Sequence, residues 1–229
     1  VAIGALAFGR SELVPRAVAR AVQAFPEARF LIQDGTYDQL LHGLRSGELD
    51  IIVTAARPLV FDDVVELPLF DDSLAVVARA GHPLAEKGVS SPADLGRYPW
   101  ILPREGTPTR RSCDAVLARV GAPRPEGVIE TGSLVSVRAL LLESDRLTLL
   151  SPRQISPELN AGLLTTLALP PAETSPANTS LPDLPLPDLR RRIVATLRRD
   201  WKPTQVQAAL LEELKRVPLA WQEEAPPAR

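Results

Sequence analysis

Apolar positions along the chain switch between two spacings, and the switches predict alternating strands and helices. Val1–Ala5 is an apolar run of strand length, followed by Val14, Val18, Val22 and Phe25 at helical spacing. Ser11 is placed to cap that helix, Pro15 falls near its first turn, and Pro26 stops it. Phe30–Gln33 reads as a second strand. Thr36-Tyr37-Asp38-Gln39 then has the form of a capping box, Leu40, Leu41 and Leu44 supply a helical stripe, and Gly47 ends it. Asp50–Ala55 is a strand with a continuous apolar run, as expected when both faces are covered, and Arg57 stands just past its end. A strand, a short helix and a strand make a crossover, so the two strands are parallel. Ligands of open parallel sheets collect beyond the carboxyl ends of the strands, which points to a small-molecule site.

The pattern changes after Pro58. Short apolar runs at Leu67–Phe70 and Ser73–Ala78 flank Asp71-Asp72, and Ser91-Pro92-Ala93-Asp94 opens a short helix. Trp100–Leu102 is a strand, and the loop from Pro103 to Thr109 leads into a helix carrying Cys113, Val116, Leu117 and Val120. Val128–Glu130 is the next strand, and Ser133 caps a helix built on Leu134, Val137, Leu140 and Leu141. Leu147–Leu150 and Leu163–Leu169 read as further strands. Residues 170–189 are rich in Pro, Ser, Thr and Asn and read as a loop insertion. Ile193–Leu197 returns as a strand, and Pro203 starts a last helix with Val206, Leu210, Leu214 and Val217 on one face. Residues 218–229 are expected to be a disordered tail.

Composition narrows the classes. The chain has 229 residues, is 45% hydrophobic, and has a formal net charge of −2, so no global field favours nucleic acid or an anionic membrane. Lys87, Lys202 and Lys215 are the only lysines against many arginines, which we read as genome composition. No apolar run approaches the roughly 18 residues of a membrane helix. Cys113 is the sole cysteine, so there is no disulfide framework and no thiolate metal site, in keeping with a cytoplasmic location. The sequence opens at Val1 inside a strand-like run, without an initiator Met or a signal peptide, and we expect an upstream segment.

Several stretches, in order and spacing, resemble the effector-binding domain of LysR-type transcriptional regulators. They are Ile3-Gly4 with Leu13-Val14-Pro15, then Leu44-Arg45-Ser46-Gly47-Glu48-Leu49-Asp50, Ala80-Gly81-His82-Pro83-Leu84, Pro99-Trp100-Ile101 and Glu130-Thr131. Gln33-Asp34-Gly35-Thr36-Tyr37 and Ser144–Ser151 are similar to the subgroup that includes a regulator of a galactose-binding protein. The resemblance covers about residues 1–217 and implies an α/β fold like the type 2 periplasmic binding proteins. Two Rossmann-like lobes would be joined by two crossover strands, with a ligand cleft between them. Lobe I would be 1–71 with 190–217, and lobe II 72–189. The family's N-terminal winged helix-turn-helix is absent from these residues, so DNA would be bound only through that missing domain. A homodimer or tetramer is implied, with helices near 14–25 and 134–143 as contacts. A small organic acid or a sugar-like molecule is the expected effector.

Four segments, 7–11, 35–36, 55–57 and 104–110, are expected to face the ligand, with 131–136 completing the site. The candidates are Phe8, Gly9, Ser11, Thr36, Arg57, Arg104, Thr107, Thr109 and Ser133. Many family members have Ser or Thr just after the first strand where this chain has Leu6-Ala7-Phe8-Gly9, so Phe8 would narrow the cleft or touch an apolar part of the ligand. Helix N-termini offer free N–H groups to an anion, and the hydroxyls of Ser11, Thr36 and Ser133 can cap or touch ligand. Arg57 can fork onto a carboxylate or sulfonate, or pair with Asp62 or Asp63. For Arg104 and Arg110 a solvated surface charge is the usual outcome. No catalytic or metal-ligating set emerges, and no cofactor is expected. His42 and His82 lack partners at ligand spacing, Cys113 falls on an apolar stripe, and the acid pairs Asp62-Asp63 and Asp71-Asp72 read as solvated turns. A transport-type solute-binding protein of the same fold is the alternative; a signal peptide upstream, in place of a helix-turn-helix, would mark it. An enzyme on the same scaffold would show turnover that is lost on mutating an acid or Cys113.

Overall fold

The structure, a computed structural model, describes residues 1–57, 61–89, 92–119, 126–168 and 189–223. Ser91, Val120, Leu169, the stretch 170–188 and residues 224–229 lie outside the described residues. The chain divides into two compact units, Val1–Asp72 with Arg191–Arg229, and Ser73–Arg190.

The first unit is built on one sheet. β1 (Ala2–Ala5) pairs in parallel with β2 (Leu31–Gln33) and β3 (Ile51–Ala55), and β10 (Arg190–Arg198) runs antiparallel to β3. With β4 (Val64–Ser73) the order is β2-β1-β3-β10-β4. One face packs Leu13, Val14 and Ala17 with Leu210 and Leu214 of the last helix, and the other packs Leu40, Leu41 and Leu44 of α2 (Tyr37–Ser46). This double cover explains the unbroken apolar run of β3. Thr36 and Gln39 make the reciprocal capping box, and Gly47 closes α2 in the left-handed conformation at φ +82°, where a side chain would be strained. β2 is an edge strand whose three side chains are exposed.

Several boundaries differ from the sequence expectation. The chain is already helical at Ala7, and a wide turn at Gly9–Leu13 runs directly into α1 (Val14–Ala24). Pro15 has no N–H to give, and its ring would press on the carbonyl one turn back, so the turn before it opens. Ser11 therefore sits inside the helical run and is not its cap; its hydroxyl donates to the Phe8 carbonyl at 2.7 Å. The last helix, α8, spans Gln205–Glu223 and is capped by Thr204 with Gln207, so it does not start at Pro203. Residues 218–223, expected in a disordered tail, are helical. Pro218 removes one backbone bond within the helix.

The second unit repeats the strand order of the first. β5 (Ala75–Arg79) lies between β8 (Thr148–Leu150) and β9 (Leu164–Leu167), antiparallel to both. β6 (Ile101–Leu102) and β7 (Ile129–Glu130) form a parallel pair. Leu147 N–H donates to Pro99 O at 3.0 Å and Ile101 N–H to Leu147 O at 2.8 Å, so β6 adjoins the start of β8. The resulting order β7-β6-β8-β5-β9 places the second, first and third parallel strands beside an antiparallel one, as in the first unit. Short helices α3 (Pro83–Lys87) and α4 (Pro92–Gly96) precede β6. α5 (Pro108–Arg119) follows β6 and packs Cys113, Val116 and Leu117 against Trp100 and Leu147. α6 (Leu134–Leu142) follows β7 and packs Val137 and Leu141 against Ile101 and Leu164; α7 (Ser156–Asn160) completes that side.

Candidate functional site

In each unit the candidate residues gather where strands end and helices begin. In the first unit β1 delivers Phe8, Gly9 and Ser11, β2 delivers Thr36, and β3 delivers Arg57. Phe8 is 6% exposed; its ring lies 5.6 Å from Phe70, and the Arg191 guanidinium lies over it at 5.2 Å. The ring is thus a member of the first unit's core. Gly9 allows close approach to β3, because a Cβ there would stand 3.1 Å from Val53 Cγ1 and 3.2 Å from Val53 O. Thr36 is exposed and already accepts from Gln39 N–H at 3.3 Å. Arg57 does not pair with Asp62 or Asp63. Asp63 is held by Arg45 at 2.6 and 3.0 Å, which lowers its pKa, while the Arg57 guanidinium lies 3.8 Å over the Tyr37 ring. Arg57 Nε is buried without a hydrogen-bond partner. Burial raises the pKa of Glu66 against the opposing pull of the Arg57 backbone and charge.

In the second unit β6 leads to Arg104, Thr107 and Thr109, and β7 leads to Ser133. Thr107 caps α5, accepting from Arg110 N–H at 3.2 Å and donating to Arg104 O at 2.9 Å. Arg104 is exposed and Thr109 half-buried. Ser133 caps α6, accepting from Ser136 N–H at 3.3 Å. Arg110 is not a solvated charge. Its side chain is 8% exposed and contacts Glu130 at 2.6 Å, Asp114 at 3.0 Å, Glu105 at 3.6 Å and Pro103 O at 3.1 Å. Its pKa is raised by the bonds to Glu130 and then Asp114.

Four residues that matter here were missed in the sequence. Arg10 pairs with Asp34, joining the ends of β1 and β2, and Tyr37 supports Arg57. Arg191 bonds Asp72 at 2.8 Å beside Phe8. Opposite charges just past two adjacent parallel strands were the available signal for Arg10 and Asp34. Asp72, read as solvated, is 2% exposed in its side chain, and Asp71 pairs with Arg192 at 2.9 Å. The two rungs lengthen β10 beyond the five residues expected. Burial pushes the Cys113 thiol up to about 12, which leaves it protonated and poorly nucleophilic at neutral pH. His42 is exposed on α2, and His82 is fully buried with Nδ1 accepting from Leu84 N–H at 3.0 Å. Among the described residues no His, Cys, Asp and Glu cluster could hold a metal, and no helix is long and apolar enough to cross a membrane.

Two βα units of like strand order, linked by two chain passes and carrying hydroxyl-capped helices at their strand ends, define a two-lobed small-molecule-binding class. Residues 1–218 match the LysR substrate binding domain model, and the chain belongs to that family, the effector-binding domains of LysR-type regulators. It is 35% identical over 170 residues to the HTH-type transcriptional regulator GalR of Pseudomonas putida, covering 74% of this chain and 43% of that protein. The chain spans about half the length of the curated relatives it matches. Among solved structures, the CcmR regulatory domain of Synechocystis in complex with 2-PG superposes with a TM-score of 0.72 at 20% identity, covering 95% of this chain and 96% of that one. The effector-binding domain of QuiR in complex with shikimate gives a TM-score of 0.70 at 16% identity, covering 95% of each chain. The fold is therefore type 2 periplasmic-binding-protein-like.

Proposed function

We propose that this chain is the effector-sensing part of a bacterial transcription regulator, binding a small organic acid or sugar-like molecule between its lobes. The observation that carries the reading is the recurrence, at both sheets, of a hydroxyl-capped helix beside an arginine–acid pair past the first two parallel strands. Such ends offer N–H groups, hydroxyls and charge to a polar ligand. The 2-PG and shikimate held by two structural neighbours support a small polar occupant.

No turnover is needed for this role. A ligand that favours one arrangement of the lobes shifts the population toward it, and an oligomer passes that bias to DNA-binding heads outside this chain. Pairing with a second copy through exposed Val22, Leu31 and Ile32 in one unit, and Val135 and Leu142 in the other, would cover apolar surface that water otherwise meets. Such a regulator works in the cytoplasm.

The test is a thermal-shift screen of sugars, aromatic acids and dicarboxylates, followed by calorimetry of each hit on Thr36→Val/Arg57→Ala protein. We expect at least tenfold weaker binding with a cooperative melt retained. Unchanged affinity would remove both residues from the site.

A further inference from the structure

The strand ends of the first unit discriminate between an acidic effector and a sugar-like one, a choice that rests on the sensor role proposed for this site. Neutral polyols are usually gripped by carboxylates and amides and stacked on open aromatic faces. Here three such groups are engaged. Asp34 is paired with Arg10, the Gln39 side chain accepts from Thr36 N–H at 2.8 Å, and the face of Tyr37 is covered by the Arg57 guanidinium at 3.8 Å. Arg57 is in the opposite condition. Among the described residues its guanidinium joins no ion pair, whereas Arg10, Arg45, Arg110, Arg191 and Arg192 each hold an acid. Its Nε is buried without a hydrogen-bond acceptor.

We infer that the effector carries a carboxylate and that Arg57, held flat on Tyr37, is the residue that selects it. A guanidinium presents planar, paired N–H donors that match the two oxygens of a carboxylate. Stacking on Tyr37 fixes that plane before the ligand arrives, so less side-chain freedom is lost on binding. Glu66 feels the Arg57 charge without forming an ion pair with it, and burial raises its pKa.

The experiment uses matched pairs at equal concentration on this chain: shikimate with its methyl ester, benzoate with benzamide, and galactonate with galactose. Thermal shift and calorimetry are run on the unmodified protein and on Arg57→Gln and Arg57→Lys. One acid should raise the melting temperature while its neutral partner does not. Arg57→Gln should weaken that acid at least tenfold, and Arg57→Lys, which keeps charge but loses the fork, several-fold. A neutral member that binds as well as its acid, or an acid whose affinity survives Arg57→Gln, overturns the inference. If a neutral member binds and Thr36→Val weakens it, the sensor reading stands and the carboxylate requirement falls. Silence from every pair counts against both. Unliganded melts show whether each variant folds; should the glutamine variant unfold, the lysine variant decides.

Discussion

In the first unit Arg10 follows the first parallel strand and pairs with Asp34 just past the second. In the second unit Arg110 occupies the first turn of the helix after β6 and pairs with Glu130 at the end of β7. The same strand order has put the same pair of residue types at equivalent places. Their surroundings differ: the Arg10 side chain is 36% exposed with one acid, whereas that of Arg110 is 8% exposed among three. The first unit then adds Arg57 past its third strand, stacked on an aromatic ring and in no ion pair among the described residues. The second has Ser151 in that place, fully buried and accepting from Arg153 N–H at 3.3 Å. A charge at a strand end is thus tied into the fold where acids surround it, and it rests on an aromatic ring where they do not.

The largest way to test that contrast is Arg110→Ala. It strips three carboxylates of their shared cation and leaves Pro103 O without its donor, and should cost about 2–3 kcal/mol in denaturant unfolding, discounted because the acids are partly exposed. Arg57→Ala should change stability by less than about 1 kcal/mol, the loss of one cation–π contact, while altering ligand binding. Equal losses in the two variants would erase the distinction. Gly9→Ala should cost about 1–3 kcal/mol, because the new methyl meets backbone and side chain of Val53 at 3.1–3.2 Å. A melting temperature equal to that of the unmodified chain would show that β3 yields. The caps sharpen what the units share: Thr36→Ala and Ser133→Ala should each cost about 1 kcal/mol by chemical denaturation.

The smallest effect is in pH, and the units oppose each other. Burial lowers the pKa of His82 in the second unit, so its neutral form belongs to the fold. Its contribution is complete above the unfolded value of about 6.5 and is lost as pH falls through the lower folded value. Burial raises the pKa of Glu66 in the first unit, so its contribution is complete below the unfolded value of about 4.3 and is lost as pH rises through the folded one. Melting curves from pH 4 to 8 should flatten at the histidine end in His82→Asn and at the acid end in Glu66→Gln. A His82→Asn profile that matches the unmodified protein would remove His82 as a titrating contributor.

Much was legible in the sequence because it depends on neighbours along the chain. The strand–helix–strand unit at 30–57, the Thr36–Gln39 capping box and the Gly47 stop are all set by local hydrogen bonds, spacing and backbone freedom. The placement of Ser11 was misread because a proline four residues later widened the turn into which it fell. The ion-pair partners were illegible for a different reason. Asp63 chose Arg45 over Arg57, and Asp72 found Arg191 across 119 positions of sequence, through contacts that exist only once the sheet has assembled. Periodicity and local chemistry determined which segments become strands, which helices cap them, and that their ends collect polar groups. Only the tertiary structure decided which arginine meets which acid, because electrostatic pairing follows distance in space.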